Sequence, residues 1–162
     1  MRLDVTSRLA KLPVWTRLAR PNERLDLEEL QHRASRAFPE YREQLEAYPE
    51  AIHLPLEQIE RGEVVIAEGV DGVAGYAVIV VGAGSAEMEG LFVEPALWLR
   101  GVGSVLVEHA AHEARRAGLS LTVNAAPGAR EFYERCGFSV EGDAETRFGP
   151  ALRMSNPQGA ST

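Results

Sequence analysis

The chain has 162 residues, 45% of them hydrophobic and 25% charged, which supplies the core of one folded domain and argues against extensive disorder. Its formal net charge of −7 disfavours nonspecific nucleic-acid binding, which needs a surplus of Lys and Arg, and no apolar run reaches bilayer-spanning length. Cys136 is the only cysteine, so an intramolecular disulfide and a zinc site with several thiolates are excluded, and a cytoplasmic location without membrane or nucleic-acid partners is expected.

In chain order, Val14-Trp15-Thr16-Arg17-Leu18 reads as a first strand, which with Asp4 interrupts a faintly transit-like run of basic residues from Arg2 to Arg20. Asp26 and Glu29 have the spacing of a capping box, and Leu27, Leu30, Ala34 and Ala37 recur at helical intervals, predicting a first helix. Pro39 suits the first turn of a second helix with Tyr41, Leu45 and Tyr48 on one face, and Pro49 stops it. Pro55 opens a short turn that ends near Gly62.

From Glu63 the period changes. Val64 to Ala67 and Val73 to Val81 predict two antiparallel strands joined by a type I′ turn at Asp71-Gly72, and Ala86 to Val93 a fourth strand with a bulge marked by Gly90. A helix follows from Gly101 to Ala117, with Val102, Val105, Leu106 and Ala110 on its apolar face and Gly118 as its stop. A strand over Leu119–Asn124, a short helix over Arg130–Arg135, and final strands at Phe138–Val140 and Ala151–Met154 around a polar connection complete residues 1–154 as a single domain. Residues 155–162 read as a loose tail, and β-edges near the C-terminus give a homodimer a route. The sum is an α/β (α+β) fold in which helices flank a mixed, largely antiparallel sheet.

The most informative segment is the junction from Leu91-Phe92-Val93 to Arg100-Gly101-Val102-Gly103-Ser104. A strand there runs into a glycine-paired helix start, where unpaired N–H groups, the positive end of the helix dipole and Arg100 together favour a phosphate. With Asn124 and Phe132-Tyr133 through Gly137-Phe138 downstream, the layout resembles the GNAT superfamily of N-acyltransferases over about Glu63 to Met154. The family's Arg/Gln-x-x-Gly-x-Gly/Ala signature departs here in carrying Trp98 at its first position and Leu99 at the next, often glycine. That resemblance implies acetyl-CoA as cosubstrate and no metal. It also implies splayed fourth and fifth strands, a pantetheine arm paired with the backbone of Leu91, Phe92 and Val93, and a diphosphate held over Leu99, Arg100, Gly101, Val102, Gly103 and Ser104. Because the family's loop works mainly through backbone amides, the Trp98 departure is expected to weaken affinity rather than abolish it.

Acyl transfer to an amine needs a base, stabilisation of the thioester oxygen and a proton for the departing thiolate. Glu87 and Glu89 lie two apart on one strand face, and Glu87 matches the position where some family members carry a base. A wetted strand face accounts for either glutamate equally well for Glu87 and better for Glu89. Tyr133, the family's tyrosine near the cofactor sulfur, is the candidate acid, and Asn124 a candidate contact of the cofactor arm or the Tyr133 region. His53 is a candidate acceptor contact, whereas His109 and Cys136 read as packing residues. The expected function is N-acetyl transfer from acetyl-CoA to a primary amine of a small molecule or peptide, by direct attack in a ternary complex. A noncatalytic acyl-CoA-binding or sensing module is the alternative, and a nucleotide-binding α/β domain a weaker third.

Overall fold

The computed structural model describes residues 10–157; the far end of the expected tail and Arg2, Asp4 and Arg8 lie outside the described residues. Seven strands, β1 (Trp15–Leu18), β2 (Val64–Gly69), β3 (Gly72–Val81), β4 (Ala86–Val93), β5 (Leu121–Ala125), β6 (Ser139–Thr146) and β7 (Gly149–Asn156), form one sheet in the order β1-β2-β3-β4-β5-β7-β6. Five α-helices accompany them: α1 (Arg24–Arg36), α2 (Pro39–Ala47), α3 (Leu56–Glu60), α4 (Val102–Arg116) and α5 (Arg130–Arg135). Every neighbouring pair of strands is antiparallel except β4 and β5.

Two apolar layers sandwich the sheet. On one face Leu106, Val107, Ala110 and Ala114 of α4, with Tyr133 and Phe138, pack against Ala77, Met88, Val123 and Met154. On the other, Leu27, Leu30 and Ala34 of α1 and Ile59 of α3 cover Val64, Ile66, Tyr76 and Val78. Burial of both faces explains why β2 and β3 read as unbroken apolar runs rather than alternating ones.

Several boundaries differ from expectation for local reasons. Helix α1 begins at Arg24, two residues before Asp26, because the Arg20 N–H donates to the Glu23 carboxylate at 2.8 Å and secures the chain earlier. The β2–β3 reversal is made by Val70-Asp71, neither with positive φ, and is closed by Gly72 at φ +116°, so the mirror-image turn expected at Asp71-Gly72 does not form. Strands β6 and β7 run eight residues each through the expected polar connection. Ser155, expected in the tail, is buried in β7, and its hydroxyl donates to Glu141 at 2.7 Å.

The feature that shapes the site is where the sheet opens. Strands β4 and β5 pair over only three rungs, Ala86↔Leu121, Glu87↔Thr122 and Met88↔Val123, after which β4 continues to Val93 without a strand partner on that side among the described residues. The register with β3 steps from Ile79↔Met88 to Val78↔Gly90, which leaves Glu89 as the extra residue of a bulge beside the expected Gly90. The inward positions of β4 accordingly pass from Ala86 and Met88 to Leu91 and Val93, a jump of three instead of two. The bulge bends β4 away just where β5 stops pairing.

Candidate active site

The ladder between β3 and β4 settles which backbone groups face the opening. Glu94 donates its N–H to Ala74 at 2.9 Å, and the pairs Phe92↔Tyr76 and Leu91↔Ala77 follow in register. In an antiparallel ladder, residues alternate between exchanging hydrogen bonds with the partner and pointing the other way. Phe92 therefore directs its peptide groups to β3, while Leu91 and Val93 direct theirs into the gap. This corrects the expectation for Phe92, whose backbone is consumed by the sheet and whose ring packs on Tyr76 at 5.2 Å between centroids. The Val93 carbonyl accepts the Trp98 indole N–H at 2.9 Å. Left facing the gap are the Leu91 N–H and C=O and the Val93 N–H.

At the mouth of the gap the chain turns sharply into α4. Gly101 is the N-cap with φ +87°, a conformation costly for any residue with a Cβ. The N–H groups of Val102, Gly103 and Ser104 have no intrahelical acceptor, and no side chain among the described residues caps them. Gly103 matters for packing instead: a Cβ there would lie 3.0 Å from the Phe132 ring, so its absence lets α4 and α5 approach without displacing that ring. Val102 is buried and offers only its backbone, while exposed Leu99 takes φ +66°, the single non-glycine residue with positive φ among those described.

The Arg100 Nε donates to the Ala10 carbonyl at 3.0 Å, and Leu12 N–H to the Arg100 carbonyl at 2.9 Å, so the segment before β1 lies along the loop. It brings Lys11 beside Gly101, where a cavity of about 250 Å³ is lined by Lys11, Arg100, Ser104 and Glu108 among others. Lys11 was not legible as a site residue, since nothing in the local pattern ties it to a helix start ninety residues on.

Two tyrosines are buried, and their hydroxyls differ. Tyr76 donates to Gln31 at 2.9 Å, whereas the Tyr133 hydroxyl has no hydrogen-bond partner among the described residues. The Tyr133 ring is held edge-on by Phe132 and Phe138, at 5.0 and 5.4 Å. Burial above all, with smaller contributions from Cys136 and Tyr41, pushes its pKa well above the ordinary phenol value, so it stays protonated. Burial also pushes the Cys136 thiol up, against the lowering effect of a hydrogen bond with Ser104, which makes it a poor nucleophile.

The other sheet face carries the carboxylates. Arg153 of β7 holds both Glu87 oxygens, at 3.0 and 3.3 Å, and also donates to Thr122 at 3.1 Å and to the Asn124 side chain at 3.2 Å. Asn124 is thus turned to Arg153, not toward the Tyr133 region, and the Arg153 pKa is raised chiefly by its hydrogen bond to Glu87. Glu89 is exposed and accepts one hydrogen bond, from Gln58 at 3.1 Å. Nearby, the rings of Trp98, Phe38, Tyr41 and Phe148 follow one another at 5.4, 6.2 and 6.1 Å, joining the loop to α2 and to the β6–β7 turn. His53 lies 3.2 Å from Glu28 and is largely exposed, and His109 is half-buried on α4. No group of three or more potential metal ligands occurs among the described residues, nor any helix long and apolar enough to cross a membrane.

A mixed sheet parted beside an uncapped helix start defines a class of fold that can admit an extended ligand arm with an anionic end. The sequence profile described as the Acetyltransferase (GNAT) family matches residues 26–138, and the chain belongs to that family. Comparison with curated proteins returns no match. Among solved structures, it is similar to a GCN5-related N-acetyltransferase from Rhodopseudomonas palustris, at 18% identity and TM-score 0.74 over 91% of this chain and 98% of that one. Apo YjaB from Escherichia coli aligns at 26% identity and TM-score 0.66, covering 90% and 98%. PaiA N-acetyltransferase from Thermoplasma acidophilum, in complex with coenzyme A, aligns at 18% identity and TM-score 0.70, covering 90% and 99%.

Proposed function

We propose that this protein transfers an acetyl group from acetyl-CoA to a primary amine of a small molecule or peptide, by direct attack in a ternary complex. The observation that carries the reading is the buried Tyr133 hydroxyl, without a hydrogen-bond partner among the described residues, on the α4 side of a sheet whose Leu91 N–H and C=O and Val93 N–H are open. Such a phenol costs stability unless a ligand or an ordered water completes its hydrogen bond. The residues fit the cosubstrate: Leu91 and Val93 offer the alternating donors and acceptor that a pantetheine amide matches, and the amides of Val102, Gly103 and Ser104 suit a diphosphate. The coenzyme A bound to the Thermoplasma relative supports the same assignment.

When bound, acetyl-CoA supplies an activated thioester that an amine attacks without an enzyme nucleophile. Tyr133, kept protonated by its surroundings, donates a hydrogen bond to the leaving sulfur and then its proton. An alkyl ammonium of pKa about 10.4 must lose a proton first, leaving roughly one molecule in a thousand reactive at neutral pH. Glu87 takes that proton through water: Arg153 fixes its orientation, and each carboxylate oxygen keeps a lone pair for the solvent molecule. Glu89, with one oxygen unbonded, is the other carboxylate within the same strand face.

Release of free coenzyme A from acetyl-CoA across a panel of amines tests the proposal. An enzyme releases it in an amine-dependent way, and Tyr133→Phe suppresses release by about 10²–10⁴-fold. A noncatalytic module binds acetyl-CoA with no release above background.

A further inference from the structure

The loop position where the family signature carries Arg or Gln is filled by Trp98, and its contacts give this chain a connection that those side chains do not make. Its indole N–H donates to the Val93 carbonyl at 2.9 Å, on the gap side of β4, and its ring meets Phe38 at 5.4 Å and a 43° tilt. Phe38 caps the start of α2, and from it the row continues through Tyr41 to Phe148 in the β6–β7 turn. The start of α2 is tied to the segment before α5 as well, where the Gly128 N–H donates to Glu40 at 3.3 Å. One rigid side chain thus touches the strand end that offers Val93 to the cofactor arm and the first ring of a wall on the opposite sheet face.

We propose that Trp98 is a positioning residue that couples the cofactor loop to this aromatic wall, so that seating acyl-CoA sets the pose of Phe38 and Tyr41. The inference rests on the acyl-CoA reading above. The indole has only two rotatable bonds, its N–H is held by Val93 and its ring meets Phe38, so movement of the 98–104 loop is transmitted to Phe38 rather than absorbed by the side chain. Coupling is reciprocal: if the occupied loop biases the wall, then altering the wall must change affinity at the loop. A Gln at position 98 offers the same N–H to Val93 but has no ring to set against Phe38.

The test is a double-mutant cycle read as coenzyme A affinity by calorimetry, with thermal melts alongside. Phe38→Ala removes a ring that belongs to α2, not to the loop, and weakens coenzyme A binding by about three- to tenfold, the range of an aromatic pair. In a Trp98→Ala or Trp98→Gln background the same Phe38→Ala change alters affinity by less than about twofold, because the ring it addressed is gone. In Trp98→Phe, which keeps a ring on Phe38, the effect persists. A purely structural Phe38 lowers the melting temperature in every background while leaving coenzyme A affinity unchanged, and that result overturns the coupling; so does an equal affinity loss in all backgrounds. Failure of the unsubstituted protein to take up coenzyme A refutes the acyl-CoA reading itself, a result separate from normal uptake with an indifferent Phe38→Ala.

Discussion

Replacing Tyr133 by Phe separates stability from catalysis with opposite signs. The hydroxyl is buried, and no described group hydrogen-bonds it, so the ligand-free fold carries its desolvation cost. An unsatisfied buried polar group costs about 1–3 kcal/mol, and taking the lower half of that range, because the ring itself is retained, the substitution relieves about 1–2 kcal/mol. For a chain of this length each kcal/mol moves the melting temperature by about 2–4 °C, which gives a rise of about 2–8 °C without ligand. Tyr76→Phe is the matched control: its hydroxyl donates to Gln31 at 2.9 Å, and removing it leaves the Gln31 oxygen without that donor, so the melting temperature falls. Thermal denaturation followed by circular dichroism measures both, and coenzyme A release measures the accompanying loss of turnover in Tyr133→Phe. A fall in melting temperature for Tyr133→Phe refutes the argument, because the phenol then has a hydrogen-bond partner, protein or ordered water, in the ligand-free fold.

Leu99 is exposed with φ +66°, so Leu99→Gly exchanges about 1–2 kcal/mol of left-handed strain for about 0.5–1 kcal/mol of chain entropy, and urea denaturation shows a modest net gain. Gly103→Ala sets a Cβ 3.0 Å from the Phe132 ring, so the roughly 0.5–1 kcal/mol that Ala gains over Gly in a helix is offset by the shift Phe132 must make, and coenzyme A uptake weakens as the loop is pushed outward. Glu87→Gln lowers turnover at neutral pH by more than about tenfold while Glu89→Gln stays within about twofold; the reverse order assigns the base to Glu89. The Glu23 carboxyl is held below its ordinary value of 4.5, chiefly by its hydrogen bond from Arg17. The stability this contributes is complete above the ordinary carboxylate value and is lost as pH falls through the depressed folded value, so Glu23→Gln flattens the acid limb of a stability–pH profile.

The fold was legible where periodicity and turn chemistry agree. Gly118, with φ +73°, ends α4 as its sequence position implies, and the apolar runs of β2 and β3 pair as expected. The last two strands were legible in place but not in length, since β6 is an edge strand whose Glu141, Asp143 and Glu145 face solvent and hide its period behind polarity on both faces. The loop from Leu99 to Ser104 could be found from its glycines, but not the reason for Gly103, which depends on a phenylalanine in another helix. Which peptide groups of β4 are open depends on the bulge at Glu89, and a one-residue shift of register reverses the answer for Phe92. Arg153 carried no signal at all: its link to Glu87, Thr122 and Asn124 spans three strands that meet only in the folded sheet. Trp98 was visible as a departure from the signature, though its bond to Val93 and its tilted contact with Phe38 were not.

Amide hydrogen exchange by NMR, with and without coenzyme A, addresses the open edge of β4 residue by residue. The account predicts that in the free protein the Leu91 and Val93 amides exchange much faster than that of Phe92, which the β3 ladder protects, and that coenzyme A slows Leu91 and Val93 while leaving Phe92 as it was. Leu91 and Val93 amides that are already protected without ligand, or unaffected by saturating coenzyme A, contradict it.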